Sequence, residues 1–292
     1  MHTPYDGSSK LFQIGLKPLD FADWIEVDER LGDYLAEKQR LEAAHIDQVF
    51  AAEAGTEAAQ AEVLALLAGH LVHRYPDIYR RDGDVIEIVP AGRRVALNDT
   101  TALRTAAHLV EDDLVLMRQG AEGWRVAAGS LCFPSSWRLR EKFGQPIHRV
   151  HAPVPGFGEG TRNAELIARM FDNLRPAIAV IRWNWSIYGD ADLHHPHDSP
   201  PRRFGAGERA ENVFLRVERQ TLRKLPESGD ILFTIKIVVD PLAALERHPD
   251  AGTIAASLVG QLRALDAAQL DYKGMTLERD RLIARLGEIG QG

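Results

Sequence analysis

Cysteine is nearly absent. Cys132 is the single one in 292 residues, so a disulfide framework is excluded, and so is any iron–sulfur cluster or multi-cysteine metal site held by this chain alone. Long apolar runs are missing too: the longest, around 63–71 and 177–181, have core length and fall short of the roughly 18 residues that a bilayer span needs. The first ten residues are polar and include Pro4, Asp6 and Gly7, with no apolar region of the kind a signal peptide carries. The expectation is a cytoplasmic protein with no membrane partner. Positive charge is in deficit, 35 Lys and Arg against 42 Asp and Glu for a net −7, which argues against binding a phosphate backbone and hence against a nucleic-acid partner. There is no phosphate-cradling Walker loop, no Gly-x-Gly-x-x-Gly after a strand, no nucleophile elbow and no His-Glu-x-x-His. Gly156-Phe157-Gly158-Glu159-Gly160 is glycine-rich but lacks the P-loop lysine and a preceding strand. Histidine, by contrast, is plentiful: eleven residues make imidazole the one abundant metal ligand of its kind. With 45% hydrophobic and 26% charged residues the composition is that of an ordinary globular protein, long enough to bury a sizeable core without staples.

Pattern divides the chain into a helical layer over 1–76, a strand-rich core over 77–240 and a helical tail over 241–292, read as one domain of 1–292. Residues 1–22 read as an extended lead-in. Apolar positions Leu31, Tyr34, Leu35, Leu41 and Ile46 recur at helical spacing within 28–50, and a second helix runs from about Thr56 to Arg74, closed by Pro76. Short β-prone runs follow at 85–90, 114–119 and 124–131, then a short helix over 135–143 and a proline- and glycine-rich loop over 146–160. An amphipathic helix spans 161–174, and longer strands occupy 177–188, 212–225 and 230–240, the last two joined by Pro226-Glu227-Ser228-Gly229. The tail is helical by pattern, with an interruption near 271–274. Helices, then strands, then helices predict an α+β fold around an antiparallel sheet rather than a doubly wound one.

Strand alternation is the most informative feature. Over 177–187 one face carries Ile178, Val180, Arg182, Asn184 and Ser186; over 212–223 one face carries Phe214, Arg216, Glu218, Gln220 and Leu222. If these strands are neighbours in register, Arg182, Asn184, Arg216 and Glu218 converge. A wetted outer face explains the same stripe, since antiparallel sheets commonly expose one side. Arg216 and Arg219 alternate and cannot share a face. His148 and His151 flank a proline-stiffened loop that suits presentation of an imidazole to a metal, although two histidines three apart also arise by chance. His194-His195-Pro196-His197-Asp198 has the composition of a metal tract, but Pro196 and the lack of a helix favour a solvated loop. Cys132, among apolar residues, reads as a small core hydrophobe.

Several blocks, in order, resemble one family. These are Gly129-Ser130-Leu131-Cys132-Phe133-Pro134-Ser135-Ser136-Trp137, then Glu141-Lys142-Phe143-Gly144-Gln145-Pro146-Ile147 running into His151-Ala152-Pro153-Val154-Pro155-Gly156, then Arg182-Trp183-Asn184-Trp185, and Arg216-Val217-Glu218-Arg219-Gln220-Thr221-Leu222-Arg223-Lys224-Leu225-Pro226 with its hairpin partner Ile231-Leu232-Phe233-Thr234-Ile235. The sequence resembles the haem-dependent oxidative N-demethylase family over most of its length. The resemblance implies a PAS-like antiparallel sheet with helical additions, haem b as cofactor, and removal of a methyl group from a secondary amine such as dimethylamine, with dioxygen consumed and formaldehyde released. It also implies electrons from NADPH through a flavin and a 2Fe–2S centre on reductase or ferredoxin-like partner subunits; a chain with one cysteine cannot hold that cluster. By the matching block, His151 is the axial iron ligand. Arg182, Arg216 and Arg219 become candidate partners of the haem propionates, because guanidinium pairs bidentately with carboxylate. From the stripe, Glu218 is placed to accept a hydrogen bond from a cationic amine or to relay a proton, with Asn184 orienting it. The plainer alternative makes Glu218 and Arg216 a buried ion pair. A haem sensor or gas-binding protein remains the competing reading of the same resemblance.

Overall fold

The computed structural model describes residues 1–98, 101–197, 204, 210 and 212–290. Two helices form where the 3.6-residue spacing puts them, α1 (Leu31–Val49) and α2 (Glu57–Arg74). α1 is kinked at His45, whose φ of −143° and ψ of 36° leave the helical region. α2 buries Val63, Leu64, Leu67, Ala68 and Leu71, so its nearly all-round apolar run is core. A main sheet is built from β1 (Lys17–Leu19), β2 (Phe50–Ala52), β6 (Asp113–Gly120), β7 (Gly123–Ser130), β8 (Ala179–Tyr188), β9 (Phe214–Lys224) and β10 (Ile231–Pro241). Their order is β1-β8-β9-β10-β6-β7-β2, and every adjacent pair is antiparallel. A second, three-stranded sheet comprises β3 (Tyr79–Asp82), β4 (Val85–Ile88) and β5 (Arg93–Ala96). The architecture is therefore α+β with a large antiparallel sheet.

Helices cover both faces of that sheet. On one face, Val115 and Met117 of β6, Leu222 of β9 and Ile235, Ile237 and Val239 of β10 join a buried cluster with Phe157 and with Ile167 and Phe171 of α6 (Arg162–Asn173). On the other, Trp185, Ile187, Leu215 and Val217 pack with Ile254, Leu258 and Leu262 of α7 (Ala251–Ala264) and Leu282 and Leu286 of α9 (Arg279–Ile289). At the β6 end, Leu114, Leu116 and Leu232 meet α2 and Leu103 of α3 (Ala102–Ala107).

The lead-in is not merely extended, because Lys17 and Leu19 pair with Ile181 and Ala179 at the sheet edge. Strands of three or four residues, such as β1, β2, β3 and β5, are too short to show a period in sequence. The helix expected over 135–143 shrinks to α4 (Leu139–Lys142), since Ser136 takes a left-handed φ of 65° that a helix cannot hold. Within the proline-rich stretch one turn of helix forms, α5 (Ile147–Val150), directly after Pro146.

Candidate functional site

The β8–β9 register decides which polar side chains meet. Arg182 lies opposite Gln220, Asn184 opposite Glu218, and Ser186 opposite Arg216. All six therefore project from one face of two central strands. Most of that face is dry: Arg216 is 1% exposed, and Glu218, Gln220 and Ser186 are each 8% exposed, while Arg182 and Asn184 are half-buried. Buried polar groups must find partners, and those partners separate the candidates.

Arg216 is fully committed. Its Nε donates to Ser135 Oγ at 2.9 Å, Nη1 to the Asp192 carbonyl at 3.1 Å, and Nη2 to the carbonyls of Phe133 and Leu193 at 3.0 and 2.9 Å. The ring of Tyr188 stacks on it, 5.2 Å from ring centre to guanidinium carbon. The same Cys132–Pro134 turn is gripped from its other side by Asp113, whose carboxylate accepts from the backbone N–H groups of Cys132 and Phe133, both at 2.8 Å. Burial pushes Asp113 up to about 6, against the pull of Lys38 and those two bonds. Arg216 thus clamps two loops to the sheet, and it forms no ion pair with Glu218. Arg219 lies on the opposite face, where Nη1 donates to the Trp24 carbonyl at 3.0 Å and Nη2 to that of Asp23, with Glu26 alongside.

Arg182 stands apart from both. Nη2 donates to the Gln13 carbonyl at 3.2 Å, while Nε is buried without a hydrogen-bond partner. Burial lowers its pKa, only partly offset by Glu218. His151 lies within reach of the same charge: burial first, then Arg182 and Lys142, push its imidazole down to about 4. At neutral pH it therefore carries a free lone pair. Its ring sits 6.2 Å from that of Phe157, among the half-buried Val150 and Val154. Glu218 holds Gln220, whose Nε2 donates to Oε2 at 2.5 Å; Oε1 has no partner among the described residues.

Two contributors escape sequence reasoning. Lys273 follows α8 (Ala267–Tyr272) and is 8% exposed. Its Nζ donates to the Trp185 carbonyl at 2.9 Å, to Ser186 Oγ at 3.0 Å and to Asn184 Oδ1 at 3.4 Å. Tyr272 stacks edge-on to Phe12 and is 42% exposed overall, yet partial desolvation and the nearby Glu218 charge raise its hydroxyl to about 12. The only trace of either in the sequence is the break in helical pattern near 271–274.

The triple-histidine loop expected to be solvated is so only in part: His197 is exposed and His194 half-buried, while His195 is buried. His195 is 4% exposed, packs on the Tyr188 ring at 4.7 Å and lies 3.0 Å from Asp190 Oδ1, while His194 Nδ1 bonds the Cys132 carbonyl at 2.7 Å. Asp198 lies outside the described residues. Among the described residues no group of three or more His, Cys, Asp or Glu side chains is arranged to hold a metal ion. Cys132 is fully buried, and burial drives its thiol pKa far up, as a core hydrophobe requires.

The sheet face thus carries a guanidinium whose Nε has no partner and an open carboxylate oxygen, and the loop after α5 adds the neutral imidazole of His151, close enough to feel the Arg182 charge. An iron porphyrin needs a neutral imidazole for its metal and a cation for its carboxylates, within apolar surroundings. His151 and the orphaned Arg182 Nε meet those needs, so the residues present fit a haem. The chain belongs to the haem-dependent oxidative N-demethylase, alpha subunit-like family, whose model matches residues 15–283. Among the described residues no helix is long and apolar enough to cross a membrane.

Proposed function

We propose that this chain is the haem-binding subunit of a monooxygenase that demethylates a small secondary amine such as dimethylamine. In the overall balance one atom of dioxygen leaves with the methyl carbon as formaldehyde and the other as water. The two electrons come from NADPH through a flavin and a 2Fe–2S centre on partner subunits, as the alpha-subunit character of the family suggests. Haem b supplies the oxygen-activating chemistry. The chain's own residues divide the remaining work. His151, kept unprotonated, holds the iron. Arg182 takes a propionate, since its Nε has no other partner. Glu218 accepts from the amine N–H through Oε1, and Asn184, opposite it in register, orients the pair. Arg216 and Arg219 serve the same site indirectly, as clamps for the loops and lead-in around it. The observation that carries this reading is the buried, unpartnered Arg182 Nε near a desolvated, neutral His151 in a chain of this family.

An absorption spectrum is the first test: haem-supplied protein is expected to show a Soret band, and folded His151→Ala to lose it. Retention of the same ligation in His151→Ala overturns the ligand assignment. Wild-type protein given NADPH and a flavin/2Fe–2S reductase is expected to release formaldehyde from dimethylamine. Stable oxygen binding by the ferrous protein, with no formaldehyde from any methylated amine, would make the chain a haem sensor on a PAS-like sheet instead.

A further inference from the structure

The C-terminal tail covers the face of the sheet opposite the site, yet it sends one charge through to the site itself. Lys273 ends α8 and inserts beside β8 with all three ammonium hydrogens engaged: the Trp185 carbonyl, Ser186 Oγ and Asn184 Oδ1. A lysine ammonium has three donors and no acceptor, so its contact with Asn184 fixes which end of that amide is which. Oδ1 faces the ammonium, and the two Nδ2 hydrogens, without a partner among the described residues, are what Asn184 offers elsewhere. Opposite it in register, Glu218 has one oxygen occupied by Gln220 and one open.

We propose that Lys273 is a positioning residue: by holding the Asn184 carbonyl it makes Asn184 a hydrogen-bond donor, so that within the Asn184–Glu218 cross-strand pair Glu218 Oε1 is the acceptor offered to an amine N–H. The inference rests on the reading that the face binds an amine. Without the ammonium the amide is free to turn over, which puts a second acceptor beside Glu218. Three groups face Lys273: Glu218 from β9, Arg182 from β8 and the Phe12 ring from the lead-in, 5.8 Å away. Burial lowers its pKa to about 8, with Glu218 opposing and Arg182 assisting. The clamp is therefore complete below that pH and weakens above it.

The test uses full-length, haem-loaded Lys273→Gln and Lys273→Arg, checked for folding by thermal unfolding and for haem by the Soret band. The readouts are the dimethylamine KM and kcat, and the side-chain amide NMR signal of Asn184 against pH. Lys273→Gln is expected to raise KM about tenfold, the scale of one charge-assisted hydrogen bond, with a smaller effect on kcat. Wild type is expected to lose amine affinity as pH rises through about 8, and the Asn184 amide signal to shift over the same range. Lys273→Arg, which does not titrate there, is expected to flatten both. If Lys273→Gln keeps the wild-type KM and amide signal, the proposal is overturned. If wild-type protein demethylates no amine, the reading of the site fails by itself; the amide signal, recorded with or without turnover, then decides the proposal, and a signal constant across pH 7–9 sinks it.

Discussion

Arg182 and Arg216 come from the same face of adjacent strands and have opposite fates, because Arg216 finds partners for all three of its nitrogens while Arg182 finds one carbonyl and leaves its Nε without a partner. A buried guanidinium with all its donors used stabilises the loops it grips, whereas a buried guanidinium with an orphaned Nε costs desolvation that nothing in the chain repays. Stability and function should therefore part company between them. Arg216→Met strips partners from four carbonyls and Ser135 Oγ, and a loss on the order of 3 kcal/mol is expected in urea unfolding. Arg182→Met is expected to leave the unfolding midpoint unchanged or raised while haem retention falls, which an equal loss of midpoint in both variants would contradict. The alternation of β8 and β9 was legible because a period of two survives wherever a strand is longer than a few residues. Which arginine keeps a nitrogen without a partner was not legible: the partners of Arg216 sit on loops at 133–135 and 192–193, far away in sequence, and no local pattern encodes their approach.

At the scale of elements, α6 shows sequence and structure agreeing. Thr161 accepts from the Ala164 N–H at 3.3 Å as N-cap, and Ile167 and Phe171 fall on the buried side, as their spacing predicts. β1 and β2 were invisible because they are held by pairing with the distant β8 and β7 rather than by their own sequence, and β3 and β5, which pair with the neighbouring β4, are too short to show a period. α8 lies between these cases. It is six residues long, too short to stand on propensity, and it is fixed by a capping box in which Asp266 Oδ1 accepts from Gln269 N–H at 2.8 Å and Gln269 Oε1 from Asp266 N–H at 3.1 Å. That box sets where Lys273 emerges. Asp266→Ala is expected to cost about 1 kcal/mol and, although it touches nothing on the site face, to raise the amine KM in the same direction as Lys273→Gln. An unchanged KM would mean that Lys273 is held by its own three bonds alone.

The whole molecule separates its two sheet faces by what they do with charge. The lead-in wraps the β8 edge: Phe12 and Gln13 meet Tyr272 and Arg182 on the site side, while Glu26 and Asp28 lie on the other. There Lys236, fully buried, donates to Glu111 Oε2 and Asp28 Oδ2, both at 2.8 Å, and to the Glu26 carbonyl at 3.1 Å. Burial alone would discharge it; Glu111 and Asp28 outweigh that and hold its pKa above the ordinary lysine value. With Arg219 on the Asp23 and Trp24 carbonyls, this network ties the lead-in to the sheet from behind. Removing one partner leaves an uncompensated buried charge, so Lys236→Met is expected to cost roughly 3–5 kcal/mol. Lys236→Met with Glu111→Leu removes both ends of the innermost pair, whose members are each fully buried, and should recover most of that loss, since a buried pair is worth little more than well-packed apolar groups. Because the network lies across the sheet from His151 and Glu218, the double variant is expected to keep the wild-type Soret band and amine KM. A double variant as unstable as the single would show that Asp28 and Glu26, not Glu111, carry the tie, and one that refolds but loses haem would show that the two faces are coupled through β9.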